Sequence, residues 1–384
     1  MIRNIATLFL LLLADALSAQ TTILGSIQSG GLTRDYRLYR PAAYTGNTPV
    51  PLIINMHGYT SNSLEQEFYG DFRSIADTAN FLIVHPNGTL DNQGNRFWNT
   101  FGTGSTVDDV AFISDLLDAL QATYNIDPQR IYSTGMSNGG FMSYTLACEL
   151  NDRIAAIASV TGSMIGPNLA ACNPQRPVPV MEIHGTADNT VPYNGSILSG
   201  FVAIPTLVDA WVGFNNCDPT PVLTNVPNTN TGDGCTAERY LYPNGDAGST
   251  VEHYKIIGGG HTWPGTAFVI GVTNQDFRAS QEIWRFFSQY RLDELTDLDA
   301  PKSPADWTAY PNPAGDYLLL QSGSQQTAQR IQVWDAAGRL VQTLLPTHGG
   351  QIRIETAHWA EGMYFLSIEQ QGKTERLKVL KMGK

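Results

Sequence analysis

Ile131-Tyr132-Ser133-Thr134-Gly135-Met136-Ser137-Asn138-Gly139-Gly140-Phe141 is the stretch on which the reading of this 384-residue chain turns. β-tolerant residues run into Gly135, a serine stands between two glycines as G-x-S-x-G, and a helix-compatible run from Phe141 to Leu150 follows. Strand, sharp turn and helix in that order make a nucleophile elbow. The turn forces its serine into a strained backbone conformation, and side chains at 135 and 139 would collide with the neighbouring strand and helix. The helix that starts there aims its first N–H groups at any oxyanion forming beside Ser137. The plainer alternative is a glycine-rich βα turn without chemistry, so the rest of the chain must supply a base, an acid and oxyanion donors.

Outward from the elbow, continuous apolar runs alternate with helical patterns. Val50–Met56, Phe81–Val84, Arg130–Thr134, Ile154–Val160, Val178–Ile183 and Val251–Ile257 read as strands, most of them buried on both faces. Phe68–Ala79, Asp108–Thr123 with Thr106 as N-cap, Leu207–Phe214 and Phe277–Tyr290 read as helices. Thr22–Arg40 reads as a hairpin turning at Gly30-Gly31. This alternation predicts an α/β unit, a mostly parallel sheet with helices on both faces, and its ligands sit outside the C-terminal strand ends.

In such a unit the acid and the base follow the serine in that order. His261 follows Gly258-Gly259-Gly260 on the loop after the last strand, whereas His253 lies inside that strand and His184 precedes most acids. His261 is therefore the expected base. Asp188, in His184-Gly185-Thr186-Ala187-Asp188, is the expected acid; Asp209 falls within a helix. Oxyanion donors are expected from the backbone N–H of Asn138 and, on the loop after an early strand, of Tyr59. His57 is expected to organise that loop at the substrate side, and Trp98 and Trp263 to line the acyl or alcohol site. No metal and no organic cofactor is called for, and no C-x-x-C spacing suggests zinc.

Composition bounds the rest. Net charge is −12, which disfavours nucleic acid and anionic membranes as partners. Residues 301–384 hold 9 basic and 7 acidic side chains, so the acidity belongs to residues 1–300. Arg3, the apolar run Ala6–Leu13 and Leu17-Ser18-Ala19 read as a secretory signal over residues 1–19, and no run is long enough to span a bilayer. In an oxidising compartment four cysteines allow three pairings, and the sequence-local choice is Cys148–Cys172 with Cys217–Cys235. The expected organisation is a catalytic unit over 20–296, a linker over 297–309 containing Pro301 and Pro304, and a unit of short strands over 310–384, a small β-sandwich. A monomer is expected.

Residues 55–63 (NMHGYTSNS), 107–113 (VDDVAFI), 132–149 (YSTGMSNGGFMSYTLACE), 184–193 (HGTADNTVPY) and 258–265 (GGGHTWPG) resemble, in family order, the secreted esterases related to polyhydroxybutyrate depolymerases. That group overlaps the feruloyl and acetylxylan esterases of carbohydrate esterase family 1. The resemblance implies an α/β-hydrolase fold with the triad Ser137, Asp188 and His261, and a Cys148–Cys172 disulfide. Many relatives carry a cysteine shortly after the HG pair, where this chain has Tyr59. Residues 310–320 (YPNPAGDYLLL), 333–341 (VWDAAGRLV), 362–368 (GMYFLSI) and 378–384 (KVLKMGK) resemble the C-terminal sorting domain of type IX secretion. This implies recognition by that secretion machinery and a secreted or cell-surface protein. Together these readings give a serine hydrolase acting by acyl transfer on an extracellular polyester or polysaccharide ester. A catalytically silent binding protein of the same fold and a secreted peptidase are the alternatives.

Overall fold

The computed structural model describes residues 20–101, 105–296, 307–322, 328–335, 340–346, 350–370 and 373–381. The expected signal segment lies outside them. The chain divides into two compact units at Leu298/Asp299.

The first unit opens with β1 (Thr21–Ser29) and β2 (Leu32–Arg40), an antiparallel hairpin whose turn residues Gly30 and Gly31 both have positive φ, as a two-residue turn requires. β3 (Val50–Met56) is buried along its whole length. The helix expected over 68–79 is instead two, α1 (Ser63–Tyr69) and α2 (Arg73–Ala79). Gly70 breaks them: a Cβ there would sit 2.7 Å from the Gln66 amide and 3.1 Å from the Trp263 ring. The Asp71 carboxylate then accepts from the Arg73 N–H and restarts the helix. β4 (Leu82–Pro86) follows, then the short pair β5 (Thr89–Leu90) and β6 (Arg96–Phe97). α3 (Asp109–Thr123) is capped by Asp108, whose side chain accepts from Ala111 N–H, and not by Thr106.

β7 (Ile126–Met136) leads to α4 (Asn138–Glu149), and β8 (Ala156–Val160), α5 (Gly166–Ala171), β9 (Val180–Gly185) and α6 (Ile204–Phe214) continue the alternation. β10 (Val222–Asn225) and β11 (Thr236–Tyr242) are two strands the sequence reading missed; β12 (Val251–Ile257), α7 (Ala279–Phe287) and α8 (Leu292–Thr296) close the unit.

One ten-stranded sheet runs in the order β1-β2-β4-β3-β7-β8-β9-β12-β11-β10. Pairing is parallel from β4 across to β12 and antiparallel at both margins. Successive residues of the central strands feed opposite cores, as pleating demands. Leu52, Ile131, Ile157 and Val180 join α3, α4 and α6; Ile53, Tyr132, Ala158 and Met181 join α2, α7 and α8. This is the α/β-hydrolase architecture.

Cys148 and Cys172 are bonded, tying the C-terminal end of α4 to the residue after α5. Cys217 and Cys235 are buried free thiols, contrary to expectation. Cys217 lies beside Gly245 and Ser249, past the C-terminal end of β11, while Cys235 immediately precedes its N-terminal end. Seven strand residues separate them by roughly 20 Å, far beyond the Cα separation of up to about 7 Å that a disulfide bridges.

The second unit is all β. β13 (Trp307–Tyr310) starts inside the expected linker, with Trp307 in the core. β14 (Tyr317–Ser322), β15 (Arg330–Asp335), β16 (Leu340–Leu344), β17 (Gln351–Glu355), β18 (Gly362–Gln370) and β19 (Lys373–Lys381) form two antiparallel sheets, β13-β14-β17 and β16-β15-β18-β19. Leu318, Leu320 and Ile354 of one sheet and Ile331, Val333 and Leu366 of the other share one apolar cluster.

Candidate active site

Ser137 holds φ 54° and ψ −116°, a conformation side chains rarely adopt, between the end of β7 and the start of α4. Crowding is what imposes it. A Cβ on Gly135 would lie 2.6 to 2.7 Å from the Gly139 carbonyl group and the Met56 oxygen, and one on Gly139 would meet the backbone oxygens of Met56 and His57. β3, the turn and α4 therefore touch through bare backbone. The Ser137 N–H donates to Val160 O at 2.8 Å, fixing the turn to β8. Ser137 is half-buried, and its hydroxyl makes no hydrogen bond among the described residues.

Asp188 and His261 follow β9 and β12 at the same sheet edge. Their loops are joined by Ala187 N–H to Gly259 O (2.9 Å) and Thr186 N–H to Ile256 O (2.8 Å). His261 Nδ1 stands 2.7 Å from Asp188 Oδ2, and the other carboxylate oxygen accepts from the N–H groups of Thr190 and Val191 at 2.8 Å each. Burial alone would raise the Asp188 carboxyl, but the hydrogen bonds and charge of the two facing imidazoles, His184 and His261, hold it far below the usual carboxylate range. An ionised Asp188 can only accept, so His261 Nδ1 donates, leaving Nε2 as the acceptor nitrogen. That nitrogen takes no protein partner among the described residues.

Gly58 packs against the elbow: a Cβ there would lie 3.4 Å from Ser137 Cβ. The backbone N–H groups of Tyr59, next along, and of Asn138, first in α4, have no protein acceptor among the described residues. The Tyr59 phenol donates to Asp91 at 2.6 Å and receives Asn95 Nδ2, which pins the exposed ring to the neighbouring loop.

Burial corrects the expected substrate contacts at Trp98 and Trp263 and the substrate-side place expected of His57, which organises its loop from within the core. His57 is buried. Its Nε2 accepts from Gly88 N–H at 3.0 Å, so Nδ1 donates to Gly58 O at 2.7 Å, and burial pushes its pKa down to about 4. Trp98 is 0 % exposed and Trp263 1 % exposed, so neither offers a face to a ligand. Trp98 serves the elbow instead. Its N–H donates to the Asn138 side-chain oxygen at 2.6 Å, the Asn138 amide returns a bond to its carbonyl at 3.1 Å, and its indole donates to His57 O at 2.9 Å. Trp263 braces the His261 loop, with its indole on Ser280 Oγ (3.2 Å) and its ring edge-on to Phe72.

The sequence reading singled out neither an aromatic cluster beside α4 nor an exposed apolar segment on the His261 loop. Phe101 and Phe201, both half-buried, meet Phe141 with ring centroids 5.1 Å away in each case, and Phe141 lies four residues past the serine. The segment Phe268-Val269-Ile270, exposed throughout, hangs from the His261 loop through Gly260 N–H to Val272 O at 2.9 Å. Apolar residues in loops carry no periodic signal, so nothing in the pattern distinguished these. Cavities of about 400 and 350 Å³ elsewhere in the unit include none of Ser137, Asp188 or His261 in their walls. Among the described residues no cluster of His, Cys, Asp and Glu has the makings of a metal site.

Residues 34–191 match the family model described as Esterase PHB depolymerase, and residues 308–382 match the one described as Secretion system C-terminal sorting domain. The chain is 30 % identical to the bifunctional acetylxylan esterase/xylanase XynS20E of Neocallimastix patriciarum over 264 residues, 68 % of this chain and 34 % of that protein. It is 30 % identical to the putative esterase NocK of Nocardia uniformis subsp. tsuyamanensis over 274 residues, 66 % of this chain and 79 % of that one. It is 30 % identical to feruloyl esterase B of Piromyces equi over 231 residues, 58 % and 41 % respectively. The chain thus spans about a third of the length of the first of these relatives and about two fifths of the third. A serine elbow on a parallel sheet, an Asp–His pair on the loops beyond it and these matches agree: the chain belongs to the PHB depolymerase family of esterases and carries a secretion-system sorting domain at its C-terminal end.

Proposed function

We propose that the protein is a secreted serine carboxylic ester hydrolase with Ser137 as nucleophile, His261 as base and Asp188 as the acid that orients it. The observation that carries this reading is the Asp188–His261 bond beyond a strained Ser137. Ser137 Oγ and His261 Nε2, both without a protein partner among the described residues, lie on loops beyond the C-terminal ends of β7 and β12, with β8 and β9 between them in the sheet, and catalytic hydrogen bonds of free enzymes often tighten only around substrate.

In the reaction His261 Nε2 accepts the hydroxyl proton as Ser137 Oγ attacks the ester carbonyl carbon. The N–H groups of Tyr59 and Asn138 receive the oxyanion. The tetrahedral intermediate collapses, the His261 proton goes to the leaving alkoxide, and an acyl-serine remains. Water, deprotonated by His261, then attacks the acyl carbon and releases the carboxylic acid and the free serine.

The substrate we infer is an ester of an extracellular polymer, a polyester or an acylated polysaccharide. The sorting domain supports an extracellular site of action through type IX secretion. The half-buried rings of Phe101 and Phe201 and the exposed Phe268–Ile270 segment favour an apolar or aromatic acyl group. Ser137→Ala should lower kcat on p-nitrophenyl acetate by roughly 10³-fold or more while the protein stays folded. Activity retained near the wild-type level would refute the assignment. Release of ferulate, acetate and 3-hydroxybutyrate, measured side by side from their polymers, would identify the acyl group.

A further inference from the structure

Beneath Asp188 lies a second ionisable array that the reaction described above does not use. His184, the last residue but one of β9, is fully buried, as is Glu182 two residues before it on the same face. His184 Nδ1 is 2.8 Å from Glu182 Oε1. Its Nε2 is 2.8 Å from the Val191 carbonyl oxygen and 3.4 Å from Asp188 Oδ2, the oxygen that also faces His261. The other Glu182 oxygen accepts from the Tyr144 hydroxyl at 2.8 Å.

The donors and acceptors can be assigned one by one. A carbonyl cannot donate, so the proton between Val191 O and His184 belongs to Nε2. Burial pushes the Glu182 carboxyl above its ordinary value, and the hydrogen bonds from His184 and Tyr144 oppose that; with Glu182 in the carboxylate form these donors favour, Oε1 only accepts and Nδ1 carries the proton. Both ring nitrogens then donate, which is the imidazolium. The surroundings agree. Of the other groups on this face, His253 is neutral: its Nδ1 donates to Glu182 O at 3.0 Å, its Nε2 faces the Tyr193 hydroxyl at 2.9 Å, and burial pushes its pKa down to about 3. Tyr193 and Tyr144 are both raised by burial and stay neutral. Lys255, beside His184 across β12, is 3.9 Å from Glu238. The two carboxylates Glu182 and Asp188 are therefore the charges that face the ring from either side.

We propose that His184 is a positioning residue for hydrolysis, a buried imidazolium held by Glu182 that keeps Asp188 ionised and aims it at His261. The inference rests on the triad reading and deepens it. Glu182, His184 and Asp188 together carry one negative charge, so the imidazolium that forms at His261 during attack completes a neutral array. Without His184, Asp188 loses a buried cationic neighbour, and Glu182 is left without a counterion in a site that cannot solvate it.

The wild-type protein provides the direct test. ¹⁵N-histidine spectra at pH 7 should show a ring with both nitrogens protonated, absent from His184→Gln, and that ring should titrate near pH 9, since the flanking carboxylates raise it to about 9 against burial. A single protonated nitrogen on that ring at pH 7 overturns the proposal, whether or not any variant folds. In kinetics on p-nitrophenyl acetate, His184→Gln and Glu182→Gln should each lower kcat roughly 10- to 100-fold with KM little changed, as loss of orientation predicts. The wild-type fall in kcat above about pH 9 should also be missing from His184→Gln. A folded His184→Gln enzyme with wild-type kcat from pH 6 to 10 overturns it as well. If Ser137→Ala is inactive and His184→Gln is not impaired, the relay alone fails. If Ser137→Ala is active, the triad reading fails, and the spectra still report the charge on His184.

Discussion

At Gly139 a single missing methyl group decides whether the site can exist. Its Cα faces the backbone oxygens of Met56 and His57, so the space a side chain would occupy is filled by the end of β3. Gly139→Ala should push β3 from α4, misplace the Gly58–Tyr59 segment, and cost about 1–3 kcal/mol of stability as overpacking does. A larger fractional loss is expected in kcat/KM, on the order of 100-fold, because oxyanion donors tolerate little displacement. Gly213, in α6, faces open space, and Gly213→Ala should leave activity alone and stabilise by about 0.5 kcal/mol. Parallel urea melts and p-nitrophenyl acetate assays of the two variants check the contrast. G-x-S-x-G showed where the glycines are. That His57, Trp98 and Trp263 would be buried was not legible, because each is a polar or amphipathic side chain whose partners (Gly88, Asn138, Ser280) come from distant segments.

Among the elements, the buried strands were legible because they are continuous β-branched and aliphatic runs; β12 lies where the alternation put it. β10 and β11 were missed since the segment around them is dense in Pro, Asn, Thr and Gly, and the sheet margin, not local propensity, orders them. The long strands also bury histidines, which makes stability depend on pH. His57 after β3, His85 in β4 and His253 in β12 are pushed by burial down to about 4, 4 and 3. The unfolded chain takes up protons near pH 6.5 where these folded rings do not, so stability is lost as pH falls below about 6.5. His184 acts with the opposite sign. Raised to about 9, it contributes fully below pH 6.5, and its contribution is lost as pH rises through 9. Calorimetry should find the first unit's Tm highest near neutrality and lower by roughly 5 °C or more at pH 4.5, with a smaller fall toward pH 9.5. A Tm that is flat between pH 4.5 and 6.5 would contradict the neutral burial of these rings.

For the molecule as a whole, the change of texture near residue 300 marked the division into two units, and the short strands of the second were legible one after another from turn-bounded alternation. The position of Trp307 was not, because a lone tryptophan next to prolines reads as linker until β14 is there to pair with it. The cysteines yielded half their answer. Sequence proximity suggested both local pairs, but only the separation imposed by β11 shows that one of them cannot form.

That separation sets a condition on how the chain must be made. Of the three ways to oxidise all four thiols, one joins Cys148 to Cys172, and the same arrangement demands the bond that β11 forbids. No completely oxidised form is therefore native, and strong oxidants become kinetic traps for the nascent chain. Refolding in a glutathione buffer mild enough to spare two thiols should outperform refolding under diamide. Replacing Cys217 and Cys235 together with serine or alanine should remove the difference in yield, leaving a single crosslink to find and no competitor for it.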